Sequence, residues 1–229
     1  MELARTVVFI FEDKKWLSKL LPLLGLGVLA LIPVVGLLAL ALELGYMLQM
    51  ACNVRDGLPR PLPKWDGLEE KFSVGGQLTL AIIVYNMPLI LMSICSWTLI
   101  SGIAGGFLGP FLNFVVVCCT LPLILVYTVL AWAILGIGVT EYLQTGDSGR
   151  LYRIGHLWDV LQANSGIVWQ WVFYGTVLNV ALGLMGAIPC IGQIALLLFY
   201  IPVQGHLFGQ FAHKLGLVNK PQIKRRKKA

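Results

Sequence analysis

Charge is what this chain has least of. Only 12% of its 229 residues are Asp, Glu, Lys or Arg, about half the ~25% of an ordinary soluble domain. With 58% hydrophobic residues and a mean hydropathy of +0.81, a water-soluble fold would expose apolar patches large enough to aggregate. Lipid is the simpler solvent. The turns around Pro33, Gly105 and Pro189 carry no charge at all. Cysteine is sparse: Cys52, Cys95, Cys118, Cys119 and Cys190 are an odd number with no C-x-x-C spacing. That argues against a disulfide framework or a zinc site and for small apolar packing residues. The N-terminus has no short apolar run ending in a small-residue cleavage site, so no secretory signal is expected.

What charge there is falls into a pattern. All 17 Lys and Arg residues lie in four segments: Arg5 to Lys19, Arg55 to Lys71, Arg150 with Arg153, and Lys214 to Lys228. Between them lie the uncharged turns. Bilayers hold basic loops on the cytoplasmic side. The expected fold is therefore an all-α, polytopic bundle of six transmembrane helices in three hairpins. It carries interfacial amphipathic helices on the cytoplasmic side, sits in the plasma or inner membrane, and has both termini inside. Residues 1–215 form one membrane domain and 216–229 a basic tail. In that tail Lys224, Arg225, Arg226, Lys227 and Lys228 are expected to contact lipid headgroups rather than nucleic acid.

Along the chain, residues 2–19 read as an interfacial helix, with Leu3, Val7, Phe11 and Leu17 on one face and Trp16 at headgroup depth. Residues 20–51 form an apolar tract broken by Ile32-Pro33-Val34-Val35-Gly36, so a tight hairpin is expected. Each arm is about 24 Å long at ~1.5 Å per residue, enough to cross a thinned bilayer or to dip in as a re-entrant pair. Leu58 to Pro63 should run extended, and Trp65 to Phe72 should form a second interfacial helix. The remaining spans are expected at 77–100, 111–140, 166–187 and 193–212, with kinks at Pro88, Pro122 and Pro202.

Short pieces recur. Ile32-Pro33-x-x-Gly36 matches Ile188-Pro189-x-x-Gly192, and Trp65-Asp66-x-Leu68 matches Trp158-Asp159-x-Leu161. They suggest a hairpin unit repeated near 12–53, 64–140 and 157–213. The order Phe9-Ile10-Phe11-Glu12-Asp13-x-x-Trp16, Ile32-Pro33-x-x-Gly36, Gly45-Tyr46, Asp56-Gly57, Pro61-Leu62-Pro63-x-Trp65-Asp66, with Thr145-Gly146-Asp147 and Trp158, resembles the bacterial and archaeal membrane family catalogued as domain of unknown function 4013. The resemblance implies a polytopic helical protein and supplies no catalytic residues.

Glu43 is the one Asp, Glu, Lys or Arg inside a predicted span. A charge at a helix centre costs about 2.5–3.5 kcal/mol on insertion scales, so it needs a partner, water, a proton or a reach to the headgroups. His206 and Asn86 are the polar groups that a bundle could bring to it. Gly205-x-x-x-Gly209 has the spacing of a close helix contact, within the bundle or with a partner. Trp169, Trp171, Phe173 and Tyr174 read as an interface belt. Gly146-Asp147-Ser148-Gly149 mimics a protease nucleophile motif but has no base–acid pair to complete it, so it reads as a turn whose Asp or Ser caps the next helix.

No phosphate-binding loop, dinucleotide fingerprint, zinc-protease helix or paired carboxylates occur. The chain is therefore expected to be non-catalytic. The first reading is an integral membrane subunit or scaffold that packs against lipids, other membrane proteins or a second copy of itself, with no nucleic-acid partner. The alternative is a small-solute or lipid transporter or channel that uses Glu43, the proline kinks and a polar lining of Asn86, Asn113 and Asn179. Composition and motifs specify no cofactor.

Overall fold

The structure is a computed structural model that describes residues 1, 5–103 and 108–218, and the side chains of these except 96–103, 108–110, 112, 113, 116, 217 and 218. The Gly105 bend, the side chain of Asn113 and the tail residues Lys224 to Lys228 therefore lie outside the described residues. Helices dominate and no strand occurs among the described residues. In order they are α1 (Arg5–Glu12), α2 (Trp16–Leu29), α3 (Pro33–Arg55), α4 (Leu68–Ile103), α5 (Leu108–Thr145), a 3-10 turn (Ser148–Tyr152), α6 (Ile154–Ala163), α7 (Ser165–Gly186) and α8 (Ile191–Val218).

Five helices (α3, α4, α5, α7 and α8) contain apolar stretches long enough to cross a membrane. The sixth expected crossing corresponds to α2, which has 14 residues, or about 21 Å at ~1.5 Å per residue. Pro33 opens α3, where the missing N–H is no loss and the fixed φ suits a helix start. Pro22, Pro88, Pro122 and Pro202 lie inside unbroken helices. Lipid-spanning helices tolerate this because neighbouring groups re-satisfy the freed carbonyls.

Two local expectations change. The helix expected over 2–19 is interrupted after Glu12, because Asp13 caps a turn through the Lys15 N–H at 2.9 Å. The short helix expected from Trp65 is the first turn of α4 itself, which starts at Leu68 and continues to Ile103. Leu58 to Trp65 is non-helical, as the alternating prolines require. Its Trp65 stacks on Tyr46 at 4.7 Å and donates to the Lys19 carbonyl at 2.6 Å. Lys19 closes the arrangement, with Nζ 2.7 Å from both Asp13 Oδ2 and the Leu62 carbonyl. Trp158, its counterpart in the sequence pattern, sits instead on the half-exposed face of α6.

Helix α3 packs on α2, α4 and α8, and the contacts α4–α5, α5–α7 and α7–α8 complete a ring that returns to α3. Small residues set the closest approaches. A Cβ at Gly75 of α4 would overlap the Ala41 carbonyl of α3 and lie 2.5 Å from the Gly45 nitrogen. Helices α3 and α8 run parallel, because Gly205 meets Met47 and Met50 while Gly209 meets Ala51 and Val54. Gly36 and Gly192 sit against the carbonyls of Ala30 and Met185, so each lets its helix start tightly against the end of the preceding one.

Exposure divides the ring into two zones. Helix α5 exposes Phe111, Phe114, Leu121, Leu123, Leu125 and Val126, then is covered at Ala133, Ile134, Ile137 and Val139. Helix α3 exposes Val34, Leu37 and Leu38, then buries Ala39, Ala41, Leu44 and Leu48, and α8 changes in the same way after Tyr200. The exposed zone suits lipid. The covered zone is wrapped by α1, α6 and the 3-10 turn, which pack on α8, α5 and α4.

Candidate functional site

A cavity of about 820 Å³ occupies the centre of the ring, and all five long apolar helices line it. Leu40, Glu43 and Met47 come from α3, Tyr85 and Asn86 from α4, and Thr128 and Trp132 from α5. Asn179 and Gly183 come from α7, and Tyr200 and Gln204 from α8. Most of the remaining lining is Leu, Ile, Val or aromatic. Ligand sites of this kind are concave and apolar, with a few placed polar groups.

Glu43 is the charged residue of this lining. It is 9% exposed and has no hydrogen-bond or ion-pair partner among the described residues. Its helix is closely packed on both sides, since α4 and α8 approach α3 through Gly75, Gly205 and Gly209. Asn86 lines the same cavity and donates from Nδ2 to the Ile82 carbonyl at 2.7 Å. Asn179 donates to the Gly175 carbonyl at 2.9 Å and accepts from Gln204 Nε2 at 3.1 Å. Thr128 donates to Ile124 and Tyr85 to Leu151.

His206 lies elsewhere. It is buried under α1, stacked on Phe9 at 4.3 Å, with Nδ1 3.2 Å from Gln210 Nε2, which also reaches Thr6 at 3.3 Å. It does not line the cavity. His213 meets the Arg55 carbonyl at 2.8 Å, so the two histidines share no site. Gly205 and Gly209 are occupied within the chain: a Cβ on Gly209 would stand 2.5 Å from Val54 Cβ. Asp147 caps the 3-10 turn, accepting from the Gly149 N–H at 2.9 Å. Among the described residues no group of three or more His, Cys, Asp or Glu is placed to hold a metal.

Two features escaped the sequence reading. Gln204, one turn before Phe208 on α8, joins Asn179 only through the register of α7 against α8. The second is a reciprocal interlock between α5 and α7. Trp132 covers Gly175 and Trp171 covers Gly136, where added Cβ atoms would stand 2.7 and 2.5 Å from the indoles. The two rings are 5.1 Å apart. Its signal is a W-x-x-x-G spacing at 132–136 and again at 171–175. Trp171, expected in an interface belt, is instead turned inward and 3% exposed, whereas Trp169 and Phe173 face outward.

In the turn between α1 and α2, the Asp13 carboxyl is partly desolvated, which alone would raise its pKa. The Lys19 hydrogen bond, the Lys15 N–H and the nearby positive charges of Lys19 and Arg60 outweigh that and hold it below 3.8. Arg55 likewise lowers Asp56 through paired contacts at 2.8 and 3.3 Å.

Comparison with curated proteins and with solved structures returns no match. Residues 26–191 match a family profile, which takes in Glu43, Asn86 and Asn179 and stops at the first residue of α8. The chain, an all-helical protein with five helices fit to cross a membrane, belongs to the family described as Protein of unknown function (DUF4013).

Proposed function

We propose that this protein binds a small apolar or amphipathic molecule inside the membrane and passes it across, as a transporter or channel without a catalytic step. The observation that carries this is the cavity. Five apolar helices converge on a space of about 820 Å³ with a lone, nearly buried carboxyl on its wall. An intramembrane carboxyl without a partner is costly and marks a substrate, ion or proton pathway. The competing scaffold reading loses one support, because Gly205 and Gly209 are used inside the chain.

In this proposal residues 1–215 form one membrane domain in the plasma or inner membrane. Helix α2 makes a sixth, shortened crossing beside the first half of α3, giving three hairpins. The basic segments and both termini lie on the cytoplasmic side, and the tail from residue 216 rests on anionic headgroups. Its partners are the surrounding lipid and, on the outer faces of α4 and α5, other membrane proteins or a second copy of the chain.

Purification in mild detergent followed by reconstitution into liposomes tests the function. A chain that purifies without stoichiometric partners and supports solute flux, with flux lost in Glu43→Gln, is the expected result. Stoichiometric co-purification of another membrane protein, with no flux from the chain alone, would return the scaffold reading.

A further inference from the structure

We infer that the ligand of the central cavity is an apolar molecule carrying one protonated amine, held with its ammonium group against Glu43. The inference rests on the binding reading above and adds the substrate class to it. Its basis is the balance of donors and acceptors on the wall. A backbone carbonyl only accepts, so Asn86 must turn its nitrogen to Ile82 and Asn179 must turn its nitrogen to Gly175; that leaves Oδ1 of Asn86 free. Asn179 Oδ1 takes the nitrogen of Gln204, which leaves Gln204 Oε1. Thr128 spends its proton on Ile124 and keeps an acceptor oxygen.

The wall thus presents the Glu43 carboxyl and three unused oxygens, one each on α4, α5 and α8. Among the described residues no Lys, Arg or His lies in the lining. The donors left over are all neutral: the second N–H of the Asn86, Asn179 and Gln204 amides, the Tyr200 hydroxyl and the indoles of Trp132 and Trp171, in the same lining. A bare metal ion does not fit. Its coordination needs several convergent charged or carbonyl oxygens, and one carboxylate in an apolar space of about 820 Å³ does not supply them. A protonated amine does fit. It needs only one anionic partner: an N–H donates to the Glu43 carboxylate, and its charge neutralises that group. The neutral oxygens of the wall favour a donor head group over an acceptor one, and the apolar body lies against Leu, Ile and Trp. Aromatic faces near a cation add to the attraction.

A matched probe series tests this: 1-adamantylamine, 1-adamantanol and 1-adamantanecarboxylate share one apolar body and differ in the head group. Binding to the full chain in lipid nanodiscs is read from quenching of tryptophan fluorescence, since Trp132 and Trp171 line the cavity. The amine should bind about tenfold more tightly than the alcohol, and the carboxylate least. The preference should persist in Glu43→Asp and shrink to within about twofold in Glu43→Gln. Gly183→Phe serves as a blocking control, because Gly183 is on the cavity wall with nothing within 4 Å of an added Cβ. If amine and alcohol bind the wild-type chain equally and Gly183→Phe weakens both, the amine assignment fails and the cavity reading stands. If no probe binds, or if binding ignores Gly183→Phe, both fail. Should Glu43→Gln not fold, the wild-type ranking of the three probes decides the matter.

Discussion

Asp13 and Glu43 are both buried acids on a chain with few charges, and their neighbours give them opposite roles. Asp13 is fully engaged, by Lys19 Nζ at 2.7 Å and the Lys15 N–H at 2.9 Å. It ties the start of α2 to the loop that holds Trp65. Glu43 is engaged by nothing among the described residues. A structural acid should register in stability and a functional acid in ligand binding. For Asp13 the sign follows from its lowered pKa. Its contribution is complete above the free-carboxylate value of 3.8 and is lost as pH falls through the lower folded value. Asp13→Asn should therefore reduce thermal stability in detergent at neutral pH, and the difference from wild type should close as the solution is acidified well below that value. A difference that stayed constant with pH would show that the Lys19 pair contributes nothing. Glu43 was legible in the sequence because a single charge in an apolar tract stands out. The way its cavity is completed was not, because the Asn179–Gln204 pair depends on the register between two helices, which periodicity does not encode.

At the scale of the helix, glycine position rather than glycine content decides what packs. Gly75 and Gly76 are neighbours on α4 with opposite surroundings. A Cβ on Gly75 would collide with the backbone of α3 at Ala41 and Gly45, while one on Gly76 meets nothing within 4 Å. Gly75→Ala should thus force α3 and α4 apart and destabilise the protein by about 1–3 kcal/mol, the usual range for overpacking. Gly76→Ala should be neutral or stabilise by about 0.5–1 kcal/mol through helix propensity. Paired thermal melts in one detergent check this, and equal effects at both sites would contradict the α3–α4 crossing. Helix existence was plain from the hydrophobic runs, and the breaks at Pro33 and Pro189 marked tight turns correctly. The proline-containing spans proved longer than their apolar cores, because α4, α5 and α8 continue into the covered zone. Hydropathy ends where polar residues begin, whereas a helix ends where its carbonyls find other partners. The Trp–Gly interlock of α5 and α7 could have been noticed as a repeated spacing. Its reciprocity becomes visible only when the two helices are side by side.

For the whole molecule, one division organises everything else: apolar faces are exposed at one end of the helices, and charged loops with short amphipathic helices cover the other. Glu43, on the cavity wall, follows the exposed Val34, Leu37 and Leu38 of α3 and precedes the buried Leu44 and Leu48. The absence of charge around Pro189 and its presence at Arg55 to Lys71 and Arg150 to Arg153 pointed to an all-helical chain with several apolar spans, of which five are long enough to cross a membrane. The measurement that bears most directly on it uses native Cys190, exposed in the turn between α7 and α8, against Ser148→Cys between α5 and α6 in a variant lacking the other cysteines. A membrane-impermeant maleimide should label Cys190 in intact cells and reach Ser148→Cys only after the membrane is opened. Labelling of both from the same compartment would mean that α7 does not cross the bilayer, and a cavity enclosed by membrane-spanning helices would go with it.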